Sequence, residues 1–182
     1  MLRSELAAQM SRLFSAPEGV EGCLTEKCYA FPVFFMNQIK LDYKFNAPIE
    51  TVWAILADVK TTPEWVHGVK QSIAVDEGEA RQGFGWEEKV SIDGQNADVM
   101  HEFVEWTPQK NAAIKTELPM GGWMRKQFTF SEEGSQTNLQ IEMTWNLGIL
   151  EMLAGPGKVH AALEKSLHKT LEAWQLRAQA AA

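Results

Sequence analysis

Between Val69 and Asn146 the chain repeats one device: short segments whose apolar residues recur at every second position, separated by turn signals. The segments fall around 69–75, 84–92, 96–106, 111–118, 123–131 and 137–146. Asp93-Gly94, Thr107-Pro108, Gly121-Gly122 and Glu133-Gly134 stand between the later ones. Connections this short exclude parallel neighbours, which need a crossover of about a dozen residues or more. The segments therefore form an antiparallel meander.

An earlier run with the same period sets Ile39, Leu41, Tyr43 and Phe45 against Lys40, Asp42, Lys44 and Asn46, which describes a half-buried first strand. Directly after it, Pro48 suits a first helical position and Glu50 the positive helix end, while Val52, Ile55, Leu56 and Val59 recur at helical spacing. Thr62-Pro63-Glu64 reads as a cap and a second start, giving a brief helix that carries Trp65. After Gly68, Val69, Gln71, Ile73 and Val75 alternate on one face of the next strand. From about 156 to 178 the period becomes 3.6. There Val159, Leu163, Leu167, Leu171 and Trp174 form an apolar stripe on a helix about 30 Å long, enough to span a small domain. One sheet must cover one helix, and a curved sheet that grips a helix leaves room between them for a ligand. The fold class is α+β: a curved antiparallel sheet of about seven strands around a long C-terminal helix, with two short helices after the first strand.

Residues 1–37 read as an extension. Leu2, Leu6, Met10, Leu13 and Phe14 give residues 2–14 an amphipathic helical pattern that Pro17 and Gly19 end, and 15–37 form an irregular connector. This helix is expected to pack on the domain or on a second copy, since its polar face is not Lys-rich as membrane-surface helices are. Glu5, Gln9 and Arg12 interrupt any secretory core, and Phe31 to Met36 is too short an apolar run to span a bilayer, so a cytoplasmic location is expected. Cys23 and Cys28 have no second pair or nearby His to complete a zinc site, which makes structural or incidental thiols the first reading and a disulfide or redox pair the second. Twenty-four acidic against 17 basic residues, net charge -7, with no cationic run, argue against nucleic-acid binding.

Asn46-Ala47-Pro48-Ile49-Glu50-Thr51-Val52-Trp53, Asp58, Pro63-Glu64-Trp65, Gly83-Phe84-Gly85-Trp86, Glu102 to Pro108 and the Leu-rich last helix resemble the superfamily of START-like, polyketide cyclase/dehydrase (SRPBCC) and birch-pollen-allergen-like proteins. The resemblance covers roughly residues 38 to 177 and implies the helix-grip fold, with the domain at 38–178. Proteins of this kind include lipid and hormone carriers, aromatase/cyclases, heat-shock co-chaperones and oxygenase subunits, so the fold leaves activity open. The iron-binding oxygenase branch needs a metal triad, which His67, His101, His160 and His168 do not form in sequence. The co-chaperone branch is matched over Ala47–Trp65 but not by its usual later glycine pair.

A two-residue turn at Asp93-Gly94 sets Phe84 opposite Phe103, Trp86 opposite His101 and Glu88 opposite Val99; a slip by two pairs Trp86 with Phe103 and Glu88 with His101. Both registers put Glu88 and His101 on the apolar face, where an unpaired polar group costs several kcal/mol. Three readings stay open: an internal Glu–His pair, an anchor for the polar end of a ligand, or an acid and base for cyclisation or dehydration. Lys126 shares parity with Met124, Phe128 and Phe130 and is a candidate counter-charge to Glu88. Trp86, Trp123 and Trp145 sit on strands as candidate aromatic walls. The candidate ligand-binding set is Trp86, Glu88, Val99, His101, Phe103, Ile114, Thr116, Lys126, Phe128, Met143, Trp145, Leu163 and Leu167, with His101 and Glu88 also the catalytic candidates. The loops Leu118–Trp123 and Gly148–Gly157 are candidate lips or simple turns.

No nucleophile motif, phosphate-cradling loop or metal cluster appears in the sequence, so neither cofactor nor metal is expected. The first expectation is a binding module for a small hydrophobic molecule, acting as carrier or sensor, monomeric or homodimeric, without integral membrane association. A cyclase/dehydratase-type enzyme and a protein-interaction module of the co-chaperone kind are the alternatives.

Overall fold

The computed structural model describes residues 37–92 and 95–181. Strands β1 (Asn37–Phe45), β2 (Val69–Ala74), β3 (Gly85–Ile92), β4 (Gln95–Thr107), β5 (Asn111–Glu117), β6 (Trp123–Glu133) and β7 (Gln136–Asn146) form one antiparallel sheet in the order β1-β7-β6-β5-β4-β3-β2. From β2 to β7 each strand pairs with the next in sequence, as the short turns require. β1 then closes beside β7, with Leu41 opposite Ile141 and Phe45 opposite Thr137. Between β1 and β2 lie helix α1 (Ile49–Ala57) and a 3-10 turn (Val59–Glu64). After β7 come α2 (Ile149–Ala154) and the long α3 (Pro156–Ala181).

Alternation along the strands decides which face is buried. On β7, Leu139, Ile141, Met143 and Trp145 are buried while Gln140 and Glu142 are exposed; on β6, Phe128 and Phe130 are buried around an exposed Thr129. Leu167, Leu171, Trp174 and Ala178, spaced at three and four residues on α3, belong to the same core. Burying a side chain of Leu or Phe size contributes roughly 1.5–3 kcal/mol, and this double layer supplies most of the driving force. Trp174 packs its ring on Phe45 and Trp65, with centroids 5.1 and 4.8 Å away, and donates its indole N–H to the Val52 carbonyl at 3.3 Å. α1 is thereby tied to α3. Gly122 matters where the β5–β6 connection passes β7, because a Cβ there would stand 3.2 Å from the Asn146 carbonyl oxygen.

Three local expectations are corrected. On β2 the register shifts between Val69 and Gln71, so only Val69 of the expected face is buried. Ile73 and Val75 turn outward, 47% and 60% exposed. A bulge adds one residue to one strand and reverses the side-chain parity beyond it. The second short helix is the 3-10 turn, and Thr62 to Glu64 end it rather than start a new one. The Thr62 hydroxyl lies 3.1 Å from the Val59 carbonyl, inside the same turn. The stretch from Gly148 to Gly157 contains the helix α2, bounded by Gly148 and Gly155 at φ 58° and 89°. Six residues are too few for a 3.6-period pattern to stand out. The N-terminal helix, Cys23, Cys28 and the Asp93-Gly94 turn lie outside the described residues. Among the described residues no helix is long and apolar enough to cross a membrane.

Candidate functional site

Between the concave face of the sheet and α3 lies a cavity of about 160 Å³. Leu56, Val59, Ile114, Phe128, Ile141 and Met143 supply apolar wall, and Leu163, Leu167 and Leu171 of α3 close it from the other side. Polar groups concentrate on the β3–β4 side. The strands pair in the register set by a two-residue turn, Ile92 opposite Gln95, Trp86 opposite His101 and Glu88 opposite Val99. Trp86, Glu88, Val99 and His101 therefore share one face.

Glu88 is 4% exposed. Its Oε1 accepts the Thr62 hydroxyl at 2.6 Å and the Trp86 indole N–H at 3.0 Å. Its Oε2 lies 3.1 Å from His101 Nε2, within ion-pair range, although the ring nitrogen is not aligned as a hydrogen-bond donor to it. The pair is a close electrostatic contact rather than a formed hydrogen bond. His101 Nδ1 is 2.9 Å from the hydroxyl of Thr116, its cross-strand partner on β5, and the imidazole stacks on Trp86 at 5.0 Å with 17° between planes. Burial pushes the Glu88 carboxyl pKa up, but the hydrogen bond and charge of His101 and the donors Thr62 and Trp86 together hold it below the ordinary value.

Lys126 projects from β6 between its cross-strand neighbours Ile114 and Met143 and lines the same cavity. The residue is half-buried, and its amine is not fully enclosed. Burial lowers its pKa, and Glu88 opposes that only through space. No ion pair within 4.0 Å joins Lys126 to Glu88.

Of the thirteen residues expected around a ligand, Trp86, Glu88, Val99, His101, Ile114, Thr116, Lys126, Phe128, Met143, Leu163 and Leu167 line the cavity. Phe103 and Trp145 do not. Phe103 lies beside the bulge in β4 and packs on Trp86 and Trp106, with centroids 4.7 and 4.5 Å away, as core behind the wall. Trp145 is buried near the start of α3, its ring 5.9 Å from that of His160. Trp123, the remaining strand tryptophan, is on the outer face and 37% exposed.

Sequence reading missed Thr62, Trp65, His67, Ser166 and Thr170. Thr62 looks like a helix cap in sequence, and nothing local announces its bond to Glu88, 26 residues on. His67 follows the 3-10 turn and faces α3: its backbone N–H donates to the Thr170 hydroxyl at 3.0 Å, and its Nδ1 lies 3.3 Å from Ser166 Oγ. Ser166 and Thr170, four apart beside the Leu stripe, were the available signal.

A curved seven-stranded antiparallel sheet gripping a C-terminal helix over a mostly apolar cavity defines the helix-grip class of START-like proteins. A family model described as polyketide cyclase / dehydrase and lipid transport matches residues 36–176, and the chain belongs to this family. Solved structures share the fold. The Zhui aromatase/cyclase from Streptomyces sp. R1128 is 19% identical, with 79% of this chain and 94% of that one covered at TM-score 0.66. A START superfamily protein from Mycobacterium smegmatis is 17% identical, with 80% and 99% covered at TM-score 0.62. A conserved protein from Geobacillus kaustophilus is 13% identical, with 78% and 95% covered at TM-score 0.68. No curated protein matches the chain in sequence.

Proposed function

We propose that the chain binds a small hydrophobic molecule, lipid-like, aromatic or polyketide-like, in the cavity between sheet and α3, as a carrier or sensor. One observation carries this reading: an interior cavity with apolar walls on both layers and a few ionisable side chains, Glu88, His101 and Lys126, on its wall. Such a site pairs area for an apolar body with a few groups that orient it. Native mass spectrometry of the purified protein, then extraction of any retained compound, tests it. The expected result is an apolar molecule that Phe128→Ala releases. A consistently empty protein that no apolar library stabilises would turn the reading toward an interaction module resembling the heat-shock co-chaperone domains.

A second reading, an acid–base enzyme of the cyclase/dehydratase kind, is favoured by the Glu88–His101–Thr116 series inside the cavity. An imidazole between a carboxylate and a hydroxyl has the kind of acid–base neighbourhood that proton transfer in cyclisation and dehydration requires. His101→Ala separates the two readings. An enzyme variant would keep the ligand and lose product, whereas a carrier forms no product to lose.

A further inference from the structure

Donors and acceptors on the cavity wall do not balance. Glu88 is its strongest acceptor: Thr62 and Trp86 donate to Oε1, and His101 Nε2 lies 3.1 Å from Oε2. Thr116 is engaged with His101, and Ser166 and Thr170 with His67. Besides His101 Nε2, which stands beside Glu88 without a formed hydrogen bond, two donors are left over. Lys126 has neither hydrogen-bond nor ion-pair partner among the described residues. Trp65, which lines the cavity and is 5% exposed, has its indole N–H buried without a partner. An ammonium offers three donors and no acceptor, and an indole offers one donor only, so neither can satisfy the other. A half-buried cation among apolar neighbours carries part of a desolvation cost that an anionic partner would offset.

We infer that Lys126 anchors an anionic acceptor group, a carboxylate, on a small apolar ligand whose body lies against Ile114, Phe128 and Met143. Lys126 is then not the counter-charge of Glu88, whose partners are Thr62, Trp86 and His101. Cavity size limits the body: about 160 Å³ is on the scale of the apolar cavity of about 150 Å³ that admits benzene, so one ring or a short chain fits. This inference rests on the cavity being a ligand site.

Isothermal titration calorimetry near neutral pH with 4-phenylbutanoate, its primary amide and 4-phenylbutan-1-ol tests it on the full chain, Lys126→Met and Glu88→Gln. The intact protein is expected to bind the carboxylate at least about tenfold tighter than the amide or alcohol. Lys126→Met keeps length and removes charge, and should reduce that preference to within about threefold. Glu88→Gln removes a neighbouring negative charge and should preserve or increase it. Lys126→Gln replaces the Met variant if circular dichroism shows that the latter is unfolded. A carboxylate bound no tighter than its amide, or a preference that survives loss of Lys126, overturns the anchor while leaving the cavity reading intact. If none of the three compounds binds, both fall together.

Discussion

Replacing Glu88 measures what holds the polar cluster together, because donors from three elements converge on one carboxylate. Glu88→Ala strands the Trp86 indole N–H and leaves His101 facing a void, while Thr62 keeps the Val59 carbonyl as an alternative acceptor. A buried donor left unmade costs about 1–3 kcal/mol, and two of them with a small cavity give an expected loss of about 3–5 kcal/mol. Glu88→Gln keeps the shape and one acceptor oxygen for Thr62 and Trp86. It exchanges charge-assisted bonds for neutral ones of roughly half the strength, partly offset by relief from burying a charge. The expected loss near neutral pH is about 1–2 kcal/mol. Its pH dependence follows from the lowered carboxyl pKa of Glu88. A group whose pKa is lower folded than unfolded contributes stability above the unfolded value, here 4.5, and loses it as pH falls through the folded value. The gap between the two proteins should therefore be widest near neutrality and close on acidification below that value. Urea denaturation followed by tryptophan fluorescence at descending pH reads it. A Gln variant as stable as the parent at neutral pH, or a gap that widens in acid, refutes the reasoning.

Phe128 and Trp145 are both buried aromatic residues on neighbouring strands, but only Phe128 lines the cavity. Phe128→Ala is expected to weaken binding of a neutral apolar probe at least about tenfold, while Trp145→Phe changes it by less than about twofold, measured by probe fluorescence titration. Lys126→Met should leave the ligand-free protein as stable or raise its stability by up to about 1 kcal/mol, because replacing a half-buried charge by an apolar side chain of similar volume removes part of a desolvation cost. Thermal denaturation of the ligand-free proteins checks this, and a clear loss of stability would mean that Lys126 has a partner in the folded chain.

Sheet, helix and register were legible because each is written as a period or a turn. Alternation gave the strands, the 3.6 spacing of Leu163, Leu167, Leu171 and Trp174 gave α3, and of the two registers open for β3 and β4 the one set by a two-residue turn is observed. That register already put Trp86, Glu88 and His101 on one wall. What stayed hidden depends on tertiary geometry. The bulge near Val69 inverted the outer part of β2, and no residue type in that stretch marks it. Thr62 reaches Glu88 only because the 3-10 turn folds over β3. Phe103 has the right parity to line the cavity, but parity gives the face and not the depth along the strand, where Trp86 covers it.

The two interior charges together bear on what the fold is for. A sheet gripping a helix needs no ions between its layers; the buried Glu88 carries a desolvation cost of several kcal/mol and the half-buried Lys126 a smaller one. Direct contact between them would have offset much of it. Instead Glu88 is satisfied by three other side chains and Lys126 stands beside Ile114 and Met143 with no described partner. A protein acting only through its outer surface gains nothing from holding opposite charges apart in its interior. A cavity that must distinguish one end of a ligand from the other does gain, since a free cation and a neighbouring satisfied carboxylate favour one orientation and penalise the reverse. If the proposed ligand binds there, stability given up in the empty protein returns on binding, which ties the interior charges to the recognition reading.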